Sequence, residues 1–367
     1  MIIMKTLVNK RIKFLLAIYL FINIISISAK SNIVTFKDSR IFYQGRILFK
    51  DQGALLSWSG TSVTIWFEGS GISAVLKGDT STYFNVVLDN KVVSKLHTDS
   101  TKRSYILASG LSNGKHKLEL FKRTEWSLGQ TLFYGFELSG RCKILPCNNS
   151  LKRKIEFYGN SVTCGLATED STGNDFGYGS YENNYLSYSA ITARYFSSQY
   201  SCISRSGIGV MVSWFPQILP EMYNLTDPRS STSFWDFSKY TPDIVVVNLL
   251  QNDSWIVTLP NEAQFKARFG STPPGKEFIV ESYKNFIERL RNKYKNAHII
   301  CVLGNMDGTK EGSQWPGYIE MAVSQLNDSK IHALFFPYKK TDGHPRIPEQ
   351  QAMAKQLISY IEKTIKW

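Results

Sequence analysis

The sequence has no cysteines or histidines spaced as the ligands of a metal site. The five histidines and five cysteines among its 367 residues include no paired Cys-x-x-Cys motif and no histidine cluster with the spacing of a zinc site. Lysines and arginines are scattered rather than grouped with aromatic residues, unlike the pattern of a nucleic-acid groove. We therefore expect no metal, no cofactor and no nucleic-acid partner, and we attribute the formal charge of +13 to a solvated basic surface.

The first 29 residues differ in composition from the rest of the chain. Four lysines and arginines accompany the apolar run FLLAIYLFINIISI, which ends in small residues up to Ala29. These features predict a signal peptide over residues 1–29. A membrane anchor is the alternative, but the run is short for a span and Asn23 interrupts it. Without the leader cations the formal charge is +9, and we expect a secreted or periplasmic protein with no stable membrane insertion.

The cysteines are odd in number. Cys142 and Cys147, in the segment CKILPC, are close enough in sequence to bridge, and an exported protein would retain such a disulfide. The other three, Cys164, Cys202 and Cys301, lie in or beside apolar runs. We predict one disulfide, between Cys142 and Cys147, and three buried thiols.

The remaining chain has two parts with different patterns. Residues 30–147 contain short segments that alternate polar with apolar residues, separated by turn sequences such as GSG, DNK and SNGK. This pattern predicts a β-sandwich of jelly-roll type. In residues 148–367, helical patterns alternate with five apolar runs: KIEFYG, YSCISRSG, DIVVVNLL, HIICVLGN and IHALFFPY. That alternation predicts an α/β domain with a five-stranded parallel sheet covered by helices on both faces.

Polar residues suited to acyl transfer follow the predicted strands in order. Ser161 follows the first strand, Gly207 the second and Asn252 the third; His344 follows the fifth, two residues after Asp342. In open α/β sheets, working residues lie in the loops past the carboxyl ends of the strands. Ser161 would be the nucleophile, His344 its base and Asp342 the acid that orients the imidazole. The N–H groups of Ser161 and Gly207 and the side-chain amide of Asn252 would form the oxyanion hole.

Each of these residues also has an ordinary structural role open to it. A serine after a strand is most often a turn residue, Asn252 could cap a helix, and His344 could be a plain loop residue. We favour catalysis because all of them fall past successive strand ends. The segment GNSVTCG lacks the G-x-S-x-G elbow of α/β-hydrolases, since Thr163 occupies the position of the second glycine.

Ser161, Gly207, Asn252 and His344 resemble the four blocks of the SGNH (GDSL-type) hydrolase superfamily. The β-rich first part, together with ENNYLSYSAITAR and DGHP, is similar to carbohydrate esterase family 2. This resemblance covers nearly all of the mature chain. It implies an exported deacetylase of plant polysaccharides such as xylan and mannan, built from a jelly roll and a three-layer αβα SGNH domain.

Three positions depart from the superfamily pattern. Asn160 replaces the aspartate of the Gly-Asp-Ser block, and we expect activity to survive because that aspartate is not a triad member. Leu250 replaces the glycine of the Gly-x-Asn-Asp block, which keeps its donor Asn252. The superfamily's acid commonly lies three residues before the histidine, at Thr341 here, whereas Asp342 lies two before it, as in family 2. A Ser–His dyad assisted by a backbone carbonyl is the alternative if Asp342 points away.

Aromatic residues near these loops suit a sugar substrate, because sugar rings present apolar C–H faces for stacking. The candidate substrate-binding residues are Trp255, Trp214, Trp315 and Tyr178, although any of the tryptophans could be core packing. We expect hydrolysis of O-acetyl groups on acetylated xylan or mannan by a Ser-His-Asp mechanism. The alternatives are an esterase of bacterial wall or exopolysaccharide acetyl groups, a short-chain lipid esterase, and a non-catalytic carbohydrate-binding protein with a decayed hydrolase domain.

Overall fold

Two antiparallel sheets form the first part of the chain. The computed structural model describes residues 32–79, 81–140 and 142–366, so the predicted signal peptide lies outside the described residues. The strands are β1 (Asn32–Thr35), β2 (Phe42–Gln44), β3 (Ile47–Lys50), β4 (Gly53–Leu56), β5 (Ser62–Gly69), β6 (Ile72–Gly78), β7 (Thr82–Leu88), β8 (Lys91–Thr98), β9 (Arg103–Ala108), β10 (Gly114–Lys122), β11 (Thr131–Leu138) and β12 (Lys143–Ile144). One sheet has the order β3-β4-β11-β6-β9 with β1 on β11, and the other β12-β5-β10-β7-β8 with β2 on β5.

Alternation along these strands places the core between the sheets. Val63, Ile65 and Phe67 of β5 are fully buried, and the antiparallel partner of Ile65 on β10 is Leu118, which is also buried. The intervening Trp66 faces outward and is only half-buried. A period of two in the sequence therefore becomes one packed face and one outer face. The predicted β-sandwich is confirmed.

A five-stranded parallel sheet forms the second part. Its strands are β13 (Lys154–Gly159), β14 (Gln199–Ser204), β15 (Ile244–Asn248), β16 (His298–Leu303) and β17 (Ile331–Phe335), in the order β14-β13-β15-β16-β17. The α-helices are α1 (Ser161–Cys164), α2 (Tyr188–Tyr195), α3 (Leu219–Met222), α4 (Gln251–Ile256), α5 (Ala263–Phe269), α6 (Lys276–Lys293), α7 (Trp315–Leu326) and α8 (Ile347–Thr364). None of the helices within the described ranges is long and apolar enough to cross a membrane.

Helices cover both faces of this sheet, as predicted. Apolar residues of α6 and α7 pack on one face and those of α2 and α8 on the other. Because all five strands are parallel, their carboxyl ends meet at one edge, where the loops collect. The strands of the first part end at Ile144 and those of the second begin at Lys154. The domain boundary between residues 147 and 148 falls between them and stays a prediction.

A buried ion pair joins the two parts. Nη2 of Arg46, which precedes β3, lies 3.2 Å from Oε1 of Glu156 on β13, and both side chains are fully buried. The same guanidinium donates to the hydroxyl of Tyr158 at 2.8 Å and to the carbonyl of Tyr223 at 2.5 Å. Hydrogen bonds to charged groups in a low-dielectric interior are stronger than those at a surface. The β-sandwich is therefore fixed against the parallel sheet by specific polar contacts.

The predicted disulfide is wrong. Cys142 is buried in the sandwich core, where its Sγ accepts a hydrogen bond from the N–H of Ser70 at 3.2 Å. Cys147 is exposed, and the two thiols are not bridged. The inward turn of Cys142 at the end of the sandwich separates residues that are close in sequence. Cys164, Cys202 and Cys301 are buried thiols, as expected.

Candidate active site

Ser161 is the first residue of α1, directly past the carboxyl end of β13. Asn160 caps this short helix, since its Oδ1 accepts a hydrogen bond from the N–H of Val162 at 3.1 Å. Gly165 ends the helix in the left-handed region, with φ of 81°. The N–H of a first helical residue has no partner inside the helix. The serine therefore has its hydroxyl and its N–H at the same helix terminus, at the edge where the loops meet.

His344 links Ser161 to an acid. Its Nε2 lies 2.8 Å from Oγ of Ser161, and its Nδ1 lies 2.6 Å from Oδ2 of Asp175. The N–H of His344 also donates to Oδ1 of Asp175 at 2.9 Å. An acid on Nδ1 fixes the tautomer in which Nε2 accepts the serine proton. The three side chains form the hydrogen-bonded chain of an activated serine.

The acid in this arrangement is not Asp342, which corrects the expectation from the sequence. Asp342 is exposed, and its backbone carbonyl accepts a hydrogen bond from Nζ of Lys339 at 2.9 Å. Gly343 follows with φ of 68°, so the chain turns sharply between Asp342 and His344. Because of that turn the histidine enters the site and the aspartate before it remains at the surface. The alternative to Asp342 is a Ser–His dyad in which a backbone carbonyl accepts from the histidine. The structure does not show this arrangement either, because the Asp175 carboxylate is the partner of Nδ1 of His344.

Asp175 lies in the irregular segment 170–179 between α1 and α2, which does not directly follow a strand in the sequence. Nη1 of Arg346 donates to Oδ1 of Asp175 at 2.9 Å and to the carbonyl of Ala167 at 3.0 Å. Burial raises the pKa of the Asp175 carboxyl, but hydrogen bonds from His344 and Arg346 and the nearby positive charge outweigh it, so the net pKa lies well below the ordinary value. The carboxylate is therefore ionised beside the imidazole at neutral pH.

Two further groups suited to an oxyanion hole come from the next loops. Nδ2 of Asn252, in α4, donates to the carbonyl of Ile208 at 2.8 Å, and its Oδ1 accepts from Nε1 of Trp214 at 3.2 Å. These contacts fix which way the amide points, and an amide nitrogen carries two N–H donors. Gly207, with φ of 82°, lies in the loop past β14 and has Trp214 packed against it. The sequence-predicted donors thus lie past the carboxyl ends of β14 and β15, Gly207 in a loop and Asn252 in the first turn of α4.

Known proteins of similar sequence and fold show the family to which the chain belongs. Residues 43–147 match the family model described as carbohydrate esterase 2 N-terminal. A solved structure of a family two carbohydrate esterase from Clostridium thermocellum, in complex with cellohexaose, is 34% identical with a TM-score of 0.78, and the alignment covers 88% of this chain and 98% of that one. The chain belongs to carbohydrate esterase family 2. The resemblance found in the sequence is confirmed.

Two relatives of this family 2 chain are named for their activities. The cellulase/esterase CelE of Acetivibrio thermocellus is 34% identical over 340 residues, which are 89% of this chain and 40% of CelE. An acetylxylan esterase/glucomannan deacetylase of Cellvibrio japonicus is 23% identical over 352 residues, which are 93% of this chain and 94% of that enzyme. The chain therefore spans two fifths of CelE and nearly all of the Cellvibrio enzyme. The expectation of a carboxylic ester hydrolase is confirmed.

The residue after Asn252 organises the loop past β14 in this family 2 chain. The buried carboxylate of Asp253 accepts hydrogen bonds from the N–H groups of Val210, Met211 and Val212, at 3.0, 2.7 and 3.1 Å. Burial raises the pKa of Asp253 to about 6, against the opposing effect of these N–H groups. Asp253 therefore ties α4, which carries Asn252, to the loop that carries Gly207.

The two departures next to the site have structural consequences. Leu250 has φ of 77°, a left-handed conformation that explains why the superfamily has glycine there. Such a conformation costs a residue with a Cβ about 1–2 kcal/mol, and the Leu250 side chain is fully buried. Asn160 keeps the capping hydrogen bond that an aspartate would make, while its buried Nδ2 has no hydrogen-bond partner among the described residues.

The four aromatic candidates occupy different surroundings. Trp214, 44% exposed, borders the site through Asn252. Tyr178, 58% exposed, stacks on Phe176 in the segment that carries Asp175, with ring centroids 5.1 Å apart. Trp255 is partly buried, and its Nε1 donates to Asp307 at 3.0 Å. Trp315 is partly buried and packs on the core cluster at the α6 and α7 face, and its role in substrate binding stays a prediction.

Proposed function

We propose that this chain is an exported esterase that removes O-acetyl groups from a plant polysaccharide, acetylated xylan or mannan, through an acyl-enzyme on Ser161. The observation that carries the proposal is the hydrogen-bonded chain from Ser161 through His344 to Asp175, with contacts of 2.8 and 2.6 Å. A serine hydroxyl becomes nucleophilic only beside a base, and the base needs an oriented tautomer. Asp175 takes the role of the acid that was expected of Asp342.

The first half of the reaction forms the acetyl-enzyme. Oγ of Ser161 attacks the acetyl carbonyl carbon while Nε2 of His344 takes the hydroxyl proton. The carbonyl oxygen becomes an oxyanion held by the N–H groups of Ser161 and Gly207 and by Nδ2 of Asn252. The bond from the carbonyl carbon to the sugar oxygen then breaks, and His344 returns the proton to that oxygen. Asp175 stabilises the imidazolium between these two transfers.

The second half releases acetate. Water attacks the acetyl carbonyl carbon of the ester on Ser161 while His344 takes one of its protons. The bond to Oγ breaks, and the same proton returns to the serine. Acetic acid leaves, it ionises to acetate in water, and the site is restored. No step needs a group from outside the chain other than water.

Two relatives support a polysaccharide substrate. The Cellvibrio enzyme is an acetylxylan esterase/glucomannan deacetylase, and the Clostridium enzyme was solved with cellohexaose. Exposed aromatic rings at Trp214 and Tyr178 also suit the apolar faces of sugar rings, although their role as sugar-binding residues is part of the proposal. The identity of the polymer and of the deacetylated oxygen follows from the substrate comparison below.

The test measures acetate released from acetylated xylan, acetylated glucomannan and an acetylated bacterial exopolysaccharide, with triacetin and longer acyl esters as lipid-like substrates. Ser161→Ala should abolish release from every substrate, while Ser324→Ala, at an exposed serine of α7, should match the wild type. NMR of the polymer would assign the oxygen that loses its acetyl group. Normal turnover by Ser161→Ala, or preference for a lipid or bacterial ester, would overturn the proposal.

Export is proposed from the leader alone. If residues 1–29 are a cleaved signal peptide, the protein recovered outside the cytoplasm of an expressing cell should begin at Lys30. N-terminal sequencing of that protein provides the measurement. An intact leader on cytoplasmic protein would contradict export.

A further inference from the structure

A loop of the β-sandwich reaches the segment that carries Gly207. This loop, residues 123–130 between β10 and β11, carries Glu125, which is 4% exposed. Oε2 of Glu125 accepts a hydrogen bond from the N–H of Ser206 at 2.5 Å and another from Sγ of Cys164 at 3.0 Å. The hydroxyl of Ser127 donates to the other carboxylate oxygen. One buried side chain of the first domain therefore binds two elements of the second.

Both of those elements carry predicted oxyanion donors. Ser206 directly precedes Gly207, and Cys164 lies in α1, which begins at Ser161. The peptide plane between Ser206 and Gly207 carries the Gly207 N–H, so its orientation decides where that N–H points. Gly207 has φ of 82°, in a region that is freely accessible to glycine and therefore little restrained by its own backbone. Glu125 binds the N–H of Ser206, in the preceding Arg205–Ser206 peptide, and so restrains the residue whose ψ sets the direction of the Gly207 N–H.

Glu125 itself is held from several sides. Its N–H donates to Oε1 of Glu182 at 2.6 Å. Nζ of the buried Lys122 donates to the carbonyl of Thr124 at 2.5 Å and lies 3.4 Å from the carbonyl of Glu125. The next residue of the loop, Trp126, is also in contact with the second domain, because the guanidinium of Arg205 lies 4.7 Å from its ring centroid. The loop therefore presents the carboxylate from a fixed backbone.

We propose that Glu125 is a positioning residue of the esterase site, whose carboxylate anchors the N–H of Ser206 and thereby orients the following Ser206–Gly207 peptide so that the Gly207 N–H reaches the oxyanion. The inference rests on the proposed function, since it assigns Gly207 a role in the transition state. It makes the β-sandwich a part of the catalytic machinery. Displacing one oxyanion donor costs about 10–10³ in kcat, depending on how far it moves.

Three variants separate hydrogen bonding from charge and from domain contact. In Glu125→Gln, the amide oxygen can accept from Ser206 and Cys164 while the amide nitrogen donates to the Ser127 hydroxyl, so the geometry survives without the charge. Glu125→Met keeps a side chain of similar length but removes the carboxylate acceptor. The matched control is Gln130→Ala, because Gln130 lies on the same loop and bonds Asp227 of the second domain at 2.6 Å without touching Ser206.

The readouts are kcat and KM for p-nitrophenyl acetate, and inhibition by methyl trifluoromethyl ketone, which forms a tetrahedral oxyanion on the serine. We expect Glu125→Met to lower kcat by about 10–100-fold with KM changed by less than about threefold, and to weaken the ketone by a similar factor. Glu125→Gln should remain within about threefold of the wild type. Gln130→Ala should keep the wild-type kcat even if its melting temperature falls.

Several results would overturn the inference. Wild-type kcat in folded Glu125→Met would do so, as would equal losses in Glu125→Met and Glu125→Gln, or a loss in Gln130→Ala as large as in Glu125→Met. If Glu125→Met does not fold, Glu125→Gln still decides: a loss beyond tenfold with a normal circular dichroism spectrum contradicts an acceptor role. Failure of the proposed function is a separate result, because it would appear as normal turnover by Ser161→Ala or as preference for a lipid or bacterial ester, whereas the Glu125 variants are compared with the wild type on p-nitrophenyl acetate.

Discussion

Gly343 is the point at which a single methyl group should disconnect the acid from the histidine. A Cβ at this position would lie 2.9 Å from both Cγ and Oδ1 of Asp175. Ordinary contact begins at 3.4 Å, so in Gly343→Ala the carboxylate must retreat by about 0.5 Å. The positive φ of 68° adds about 1–2 kcal/mol of backbone strain. Because displacements of this order at a catalytic group are costly, we expect kcat to fall about 10–100-fold.

The assay is the steady-state release of p-nitrophenol from p-nitrophenyl acetate, with acetate release from a polysaccharide as a second substrate. Gly312→Ala is the control, since Gly312 has φ of 81° and nothing within 4 Å of the added Cβ. It should carry the same backbone strain with unchanged kcat. A kcat for Gly343→Ala within twofold of the wild type would refute the view that Gly343 makes room for the acid.

Two further predictions concern stability, measured by chemical denaturation. Leu250→Gly should be more stable than Leu250→Ala by about 1 kcal/mol. Both variants lose the buried side chain, but only glycine relieves the strain of the left-handed φ of 77°. The opposite order of stability would contradict backbone strain at this residue. Arg46→Ala should destabilise the fold by about 3–5 kcal/mol, since it leaves the buried Glu156 carboxylate without its cation. A decrease of less than about 1 kcal/mol in the free energy of unfolding would show that the ion pair does not hold the two domains together.

Periodicity made the layers of both domains predictable. Strands such as β5 alternate buried and outward residues, and the five apolar runs of the second domain became its parallel sheet. Ser161, Gly207, Asn252 and His344 could be placed because strand ends of a parallel sheet share one edge. The local pattern therefore fixes which loops meet, and those loops supply the nucleophile, the base and the predicted donors.

Asp175 could not be found in this way, because it follows no strand. It lies in a glycine-containing segment whose path is set by Arg346, Gly343 and His344, all about 170 residues further along the chain. Asp342 had the expected spacing but not the direction, since the turn at Gly343 leaves it exposed. The only signal available in the sequence was the nearby aromatic residue Tyr178, which marked the segment as a neighbour of the site.

Glu125 and the failed disulfide have the same explanation. Tertiary contacts decide them, between the two domains for Glu125 and within the sandwich for Cys142, and a pattern along one segment carries no information about such contacts. In the sequence Glu125 is an ordinary loop residue, and only the structure shows its hydrogen bond to Ser206. The spacing of Cys142 and Cys147 suggested a disulfide, but the structure places the Cys142 thiol in the sandwich core.

Identification of Asp175 as the acid is tested most directly by comparing Asp175→Asn with Asp342→Asn. Both variants remove one carboxylate near His344 in sequence or in space, and both are checked for folding by circular dichroism. We predict that Asp175→Asn lowers kcat for p-nitrophenyl acetate by about 10²–10⁴-fold, because the imidazole loses its orienting acceptor, while Asp342→Asn keeps the wild-type kcat. A large loss in Asp342→Asn together with near-normal turnover in Asp175→Asn would contradict the account.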